Sequence, residues 1–146
     1  MVVAIIGIIA SIAYPAYTES ILKGRRAQAR TALMELLQQQ ERYMTQNNCY
    51  LAFTTTTGFS TSADLSCGTT PTNVPFKFYA GENTANATYI LSAAACSASL
   101  SLNECVLLTA TPLRPDSDVG NLIISSNGNK SCSGPARTTN PSKCWP

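Results

Sequence analysis

Residues 1–17 read MVVAIIGIIASIAYPAY, and this uncharged stretch decides how the rest of the chain folds. Charged residues begin at Glu19, and apolar residues then recur at helical spacing to about Met44. The pattern predicts one long helix over residues 1 to about 46, apolar in its first half and amphipathic in its second. A cleavable signal peptide would need a basic start and a small-residue cleavage site, and the stretch shows neither, so a helix that persists is favoured.

The apolar stretch is slightly too short to cross a bilayer by itself. As a helix it covers about 25 Å, whereas the hydrocarbon core of a bilayer is about 30 Å thick. It therefore either spans a membrane together with residues upstream or packs against copies of itself. Gly7 and Pro15 weaken the helix between them, because proline cannot donate a hydrogen bond to the carbonyl of Ser11. We expect residues 7–15 to lose regular helix in a packed bundle.

Composition and cysteine spacing bound the class of protein. The chain of 146 residues is long enough for one domain with a tail, and its net charge of +2 gives no general basic field for nucleic acid. Six cysteines without a Cys-x-x-Cys pair, in a chain without histidine, favour disulfides formed in an oxidising compartment. Several pairings are possible, and some cysteines could be free buried thiols. We favour the sequential bonds Cys49–Cys67, Cys96–Cys105 and Cys132–Cys144, because each closes a short segment.

The second half of the helix carries a stripe that is expected to bury against a sheet. Its members are Ala29, Leu33, Leu36, Leu37, Gln40 and Met44. Residues 47–75 are rich in serine and threonine, and we expect an ordered loop held by the first disulfide. Four β-rich runs then follow, at residues 76–80, 87–94, 105–111 and 121–126. Residues 131–146 are expected to form coil closed by the last disulfide, with Trp145 beside that bond.

These elements predict an α+β fold, in which the long N-terminal helix packs on a four-stranded antiparallel sheet with disulfide-bonded loops. Two regions are expected. Residues 1–24 form an apolar helical tail, and residues 25–146 form a globular head.

Two stretches resemble a known family. VVAIIGIIASIAYPAY (residues 2–17), followed by basic residues and an amphipathic helix, is similar to the N-terminal spine of type IV pilins. VLLTATP (residues 106–112) and GNLIISSNGNK (residues 120–130) resemble a strand pair of the pilin-E-type subunits of Gram-negative bacteria, and the neighbours Cys144 and Trp145 also fit that group. The resemblance covers nearly the whole chain, and its N-terminal motif is the more specific part.

The sequence departs from that family at its start. The family has a short basic leader, a peptidase cleavage site and a mature start that reads roughly Phe-Thr-Leu-Ile-Glu-Leu, none of which is in this sequence. We expect the sequence to begin several residues inside the mature protein. The glutamate with which the family pairs a neighbouring subunit's N terminus then has no counterpart here.

The resemblance implies assembly into a helical homo-oligomeric filament with the apolar helices at its centre. The residues expected in that core are Val3, Ile5, Ile6, Gly7, Ile8, Ile9, Ile12, Tyr14 and Pro15. The implied partners are the inner membrane before assembly, the pilus assembly machinery and DNA, and N-terminal methylation is also implied. The implied location is an extracellular pilus, reached from an inner-membrane precursor whose head lies in the periplasm.

The residues give little reason to expect an enzyme. The sequence shows no nucleophile–base constellation and no phosphate-binding loop, so we predict neither catalysis nor a cofactor nor a metal site. Asp116 and Asp118 lie in a proline-flanked turn and are expected to be solvated. The resemblance also admits a pseudopilin of a secretion system. Those proteins usually carry a calcium site or shorter loops, and the sequence shows no acidic calcium cluster.

The basic residues of the helix, Lys23, Arg25, Arg26 and Arg30, have three interpretations. They could form a solvated collar, which is favoured, or pair with glutamates of a neighbouring subunit, or follow DNA phosphates. The other basic residues are dispersed in sequence, and some of them could converge near the C-terminal loops. They are Lys77, Arg114, Lys130, Arg137 and Lys143.

The leading hypothesis is a structural subunit that self-assembles through its apolar helix into a type IV pilus serving adhesion, twitching motility and DNA uptake. The alternative is a minor pilin that acts as a DNA receptor in natural transformation. Binding that weakens steeply with salt would favour the alternative.

Overall fold

The computed structural model describes residues 2–64, 67, 68 and 70–146. Helix α1 spans Val2–Asn47 without a break, which confirms the predicted helix over the described residues. Ile6 and Tyr14 are exposed on it, by 61% and 73%, and Gly7 is exposed as well. The remaining residues of the expected filament core have side chains that lie outside the description: Val3, Ile5, Ile8, Ile9, Ile12 and Pro15.

The expected loss of helix at residues 7–15 concerns a packed bundle. This single chain is helical there, so the expectation stays a prediction. Within the described part of the chain, no helix combines the length and the apolar character needed to span a membrane.

Seven antiparallel strands form one sheet within the described residues, rather than the predicted four. Their order is β2-β1-β4-β5-β6-β7, and β3 also pairs with β4. The strands are β1 (Phe53–Thr55), β2 (Thr61–Ala63), β3 (Tyr79–Ala80), β4 (Tyr89–Ala95), β5 (Val106–Pro112), β6 (Leu122–Ser125) and β7 (Lys130–Cys132). A short helix α2 (Ala136–Thr139) and a 3-10 turn (Pro141–Lys143) follow. The α+β class and the helix-on-sheet arrangement are therefore confirmed, and the strand count is corrected.

The register of the sheet explains where the core lies. Cross-strand pairs such as Ala93 with Leu108 and Leu108 with Ile124 place apolar side chains on one face of the sheet. That face meets the α1 stripe, of which Ala29, Leu33, Leu36 and Gln40 are buried and Leu37 and Met44 are partly buried. The predicted stripe is confirmed as the helix surface that packs on the sheet.

The β1–β2 hairpin corrects the expectation that residues 47–75 are a loop. The residues of its two strands are mostly serine and threonine, so they show no apolar alternation. Among the residues of these two strands, Phe53 alone is fully buried. Phe53 pairs with Ala93 of β4 and so joins the hairpin to the sheet. Threonine is nevertheless a good strand former, which is the local signal for this hairpin.

The chain after β6 also departs from the expected coil. Asn127-Gly128 makes a tight turn, in which Gly128 has φ of +87°, and the chain returns as β7. An Asn-Gly pair after an apolar strand is a strong hairpin signal. The six cysteines are bonded as the sequential pairs Cys49–Cys67, Cys96–Cys105 and Cys132–Cys144. The boundary between a tail of residues 1–24 and a head of residues 25–146 stays a prediction.

Candidate functional site

Residues 130–146, which we call the C-terminal segment, are held in place at three points. The Cys132–Cys144 disulfide closes the segment. Arg30 of α1 donates from Nε to the carbonyl of Cys144 and from Nη2 to the carbonyl of Lys143, both at 2.8 Å. Trp145 donates from its indole nitrogen to the carbonyl of Ser131 at 2.8 Å, and so lies near the disulfide as predicted. The segment is therefore a fixed surface rather than a free tail.

Close backbone contacts fix the middle of the C-terminal segment against the loop before β6. The amide of Gly134 donates to Val119 at 2.8 Å, and that of Ala136 donates to Asp118 at 2.9 Å. A Cβ added to Gly134 would overlap the carbonyl of Asp118, so only glycine fits there. This contact sets the direction in which α2 and the 3-10 turn leave the sheet.

The C-terminal segment carries three cations and no carboxylate side chain. Lys130 and Arg137 are exposed, and no acidic residue follows Asp118 in the chain. Lys130 places its ammonium 5.2 Å from the centroid of the Trp145 ring, a cation–π distance. Lys143 pairs with Asp118 at 2.9 Å, with both side chains partly exposed. Such an exposed pair is weak, so Lys143 remains available to an anion.

A cleft of about 460 Å³ separates the C-terminal segment from α1. It is lined by Glu19, Lys23, Arg26, Arg30, Asn140, Ser142, Lys143 and Pro146. The structure therefore brings three of the four predicted basic residues of α1 beside Lys143. The fourth, Arg25, lies on the wall of a different cleft. Two residues that line the first cleft, Lys23 and Glu19, pair with each other at 3.2 Å, and both side chains are well exposed.

Arg26 and Asp116 correct two expectations from the sequence. Arg26 donates from Nε and Nη2 to the two carboxylate oxygens of Asp116 at 2.7 and 2.8 Å, and both side chains are buried. Asp116 also accepts the backbone N–H groups of Asp118 and Val119 at 3.2 Å. Asp116 is therefore not solvated, unlike the exposed Asp118. Because its guanidinium is committed to Asp116, Arg26 belongs neither to a solvated collar nor to a surface for DNA or a neighbouring subunit.

The ionisation of the Arg26–Asp116 pair follows from these contacts. Burial opposes the charge on Asp116, but the hydrogen bonds from Arg26, Val119 and Asp118 outweigh burial and lower the pKa of Asp116. The hydrogen bond with Asp116 raises the pKa of Arg26. Burial, together with the charge of Arg26, lowers the pKa of Arg30. All three groups are charged at neutral pH.

A protein-family model matches residues 15–117 of the chain. The matching family is described as "Type IV minor pilin ComP, DNA uptake sequence receptor". The match begins within the first third of α1 and runs through β5 to the residue after Asp116, and so contains both members of the buried ion pair. No curated protein and no solved structure matches the chain.

Proposed function

Because the family model covers more than half of this chain, the chain belongs to the type IV minor pilins, and we propose that it binds double-stranded DNA through its C-terminal segment. The family is described as a receptor for DNA uptake sequence. That description favours the DNA-receptor alternative over a purely structural subunit. The proposed role is one of binding, without catalysis, at the surface of a pilus.

The observation that carries the proposal is the charge of the C-terminal segment. Lys130, Arg137 and Lys143 lie on one disulfide-closed segment that has no acidic side chain. Cations on a fixed segment can each neutralise a DNA phosphate and release a counterion. Because Arg30 and the disulfide fix the segment before binding, little ordering entropy is lost when DNA docks.

Phosphate contacts position a protein on DNA but do not read sequence. Reading an uptake sequence requires polar groups that reach base edges. Asn140 and Ser142 are exposed next to Lys143 and line the cleft between the segment and α1. An asparagine amide can pair in a bidentate manner with adenine in the major groove. We propose Asn140 as the first candidate for sequence readout.

The test is the salt dependence of DNA binding by the full chain in detergent, followed by fluorescence anisotropy of a labelled duplex. If three cations contact phosphates, the logarithm of affinity should fall with the logarithm of salt with a slope of about −2.7. Each of Lys130→Gln, Arg137→Gln and Lys143→Gln should make that slope shallower by about 0.9. Asn140→Ala should weaken binding to a preferred duplex while leaving the slope unchanged.

Arg42→Gln is the matched control. Arg42 is exposed on α1, about 18 Å along the helix axis from Arg30. Its substitution removes one positive charge, as each of the three segment variants does. If Arg42→Gln reduced the slope as much as the three segment variants do, DNA would be responding to net charge rather than to the C-terminal segment. Binding that is weak and insensitive to salt would contradict DNA binding altogether.

A second candidate role, as a main structural subunit of the filament, rests on three exposed residues in the first half of α1. Ile6, Tyr14 and Tyr17 are exposed by 61%, 73% and 67%. Packing against other helices would remove this apolar surface from water, which is favourable. We propose that this half packs among other pilin helices after an inner-membrane stage. Cryomicroscopy of sheared filaments, with mass spectrometry, separates the roles. A fibre built throughout from this chain favours the structural role, whereas a rare subunit favours the receptor.

A further inference from the structure

A second cleft, of about 240 Å³, lies where α1 meets the turn before β4 and the connection after β5. Its walls include Leu22, Arg25, Asn86, Tyr89, Arg114 and Asp116. The C-terminal segment contributes no residue to this cleft, so its chemistry is independent of the DNA surface proposed above. The cleft is recessed and polar, and two arginines from separate elements line it.

Among the residues that the structure describes, neither Arg25 nor Arg114 makes a hydrogen bond or an ion pair, although Arg25 is half-buried. The acid that lines the cleft, Asp116, is already occupied by Arg26 and two backbone N–H groups. The negative charge in the wall is thus neutralised internally, while the two positive charges are not.

Helix geometry explains why adjacent arginines have different roles. Successive side chains on a helix point about 100° apart. Arg26 therefore reaches beneath the β5–β6 connection to Asp116, while Arg25 faces the second cleft. Arg114 lies two residues before Asp116, so the buried ion pair anchors the loop that carries it. Helix α1 therefore places Arg25 in the wall of the cleft, and the anchored loop places Arg114 there.

We propose that this cleft binds a phosphoryl group, held by the guanidinium groups of Arg25 and Arg114. A guanidinium presents a planar fork of N–H donors that matches phosphate oxygens, and such charge-assisted bonds are strong. Asn86 and Thr88, also in the wall, add polar groups beside the arginines. A recessed site between two arginines suits a compact tetrahedral anion. The same chemistry serves free phosphate and a phosphodiester of DNA.

The test is calorimetric titration of the full chain, in detergent, with sodium phosphate at constant ionic strength. Wild type should show saturable binding at one site. Arg25→Gln and Arg114→Gln should each weaken that binding about ten-fold or more, as expected for the loss of hydrogen bonds to a charged group. Arg42→Gln, the charge-matched control outside the cleft, should bind as wild type does. Thermal unfolding without phosphate checks that each variant folds. If Arg25→Gln does not fold, Arg114→Gln still provides the test, because Arg114 is exposed on a loop.

Duplex DNA identifies the source of the phosphoryl group. If Arg25→Gln and Arg114→Gln also weaken binding of a short duplex, the ligand is a DNA phosphodiester. If they lose phosphate but keep duplex affinity, the ligand is free phosphate, and either result supports the site. Absence of saturable phosphate binding by wild type, or equal binding by the Arg25, Arg114 and Arg42 variants, overturns it. Arginine variants that impair only filament assembly, with no phosphate bound by wild type, would assign the cleft to a carboxylate of a second copy.

The site and the proposed DNA surface can fail separately. Loss of duplex binding in the Lys130, Arg137 and Lys143 variants, with phosphate binding intact, would support the C-terminal segment and leave the cleft as an independent site. Normal duplex binding in those variants would contradict the C-terminal segment alone.

Discussion

Arg26 and Asp116 join α1 to the β5–β6 connection through a buried, two-point ion pair. A buried pair adds little net stability compared with apolar residues, but removal of one partner leaves the other charged and unpaired. The pair also fixes the loop that carries Arg114. The geometry of the second cleft is therefore expected to depend on this pair.

Arg26→Met should lower the free energy of unfolding by about 3–5 kcal/mol, because Asp116 would be left buried without its cation. The double variant Arg26→Met with Asp116→Leu should recover most of that loss. Urea unfolding measures both, and Arg42→Met on the exposed face of the same helix is the control. A loss near that of the control would mean that Asp116 is not buried in solution.

Acid should act through the same pair. Because the pKa of Asp116 is lower in the folded protein, its contribution to stability is present above the unfolded value of about 3.9 and is lost as pH falls through the folded value. Wild type should therefore lose stability more steeply than Asp116→Asn as pH falls below about 4. Urea unfolding at a series of pH values measures this difference. Equal losses in the two proteins would contradict the lowered pKa.

Gln40 is a buried polar residue in the apolar stripe of α1. Its amide nitrogen donates to the carbonyl of Leu51 at 2.7 Å, and its amide oxygen accepts the N–H of Leu51 at 3.0 Å. Gln40→Met should destabilise the protein by about 2–5 kcal/mol, because two buried backbone groups would lose their partner. Gln38→Met, at an exposed position of the same helix, should cost little. Thermal or urea unfolding of the pair checks this, and equal stabilities would count against the contact.

Sequence reasoning placed Gln40 in the buried stripe but could not supply its partner. Helical periodicity says which side of α1 is buried, whereas the contact with Leu51 depends on how the chain turns after Asn47. The burial of Arg26 was not predicted, for a related reason. A charged residue on an amphipathic helix is usually solvated. Asp116, the partner of Arg26, lies 90 residues away in sequence. Local pattern carries no information about such a pair.

The C-terminal segment is the element on which the proposed function depends. Its residues gave no strand or helix pattern, because its short strand, helix and 3-10 turn are fixed by a disulfide, by Arg30 and by close backbone contacts. Cysteine spacing did indicate that the segment is closed. The four short β-rich runs were predicted from alternation in residues 76–80 and from β-rich composition in the others, although only residues 79 and 80 of the first run form a strand.

Removing the Cys132–Cys144 disulfide by a double alanine substitution should lower stability by about 2–4 kcal/mol. It should also weaken DNA binding, because the C-terminal segment would no longer be fixed. Removal of Cys96–Cys105 is the matched control, since that bond closes a loop of similar size elsewhere. Unfolding and anisotropy measured on both variants separate the effects. Equal weakening of DNA binding by the two would mean that stability, rather than this segment, controls affinity.

At the scale of the whole molecule, the described residues of α1 fall into two groups. From Arg26 onward it carries buried residues that pack on the sheet, whereas Ile6, Tyr14 and Tyr17 are exposed. Paired changes such as Ile6→Ser with Tyr14→Ser should leave the melting temperature of the head unchanged, because these residues are not part of its core cluster. They should reduce recovery of the chain in sheared filaments, because the serines remove apolar surface that would be buried there. Quantitative mass spectrometry of the filaments measures the result, and unchanged recovery would argue against packing through this half.

The claim that DNA binds the C-terminal segment can be tested directly by one measurement. Nuclear magnetic resonance of the isotope-labelled full chain in detergent, titrated with a short duplex, maps which backbone amides shift. We expect the largest shifts in residues 130–146 and around Arg30, with little change near Arg42. Largest shifts at the β1–β2 hairpin or around Lys77, or no shifts at all, would contradict DNA binding by the C-terminal segment.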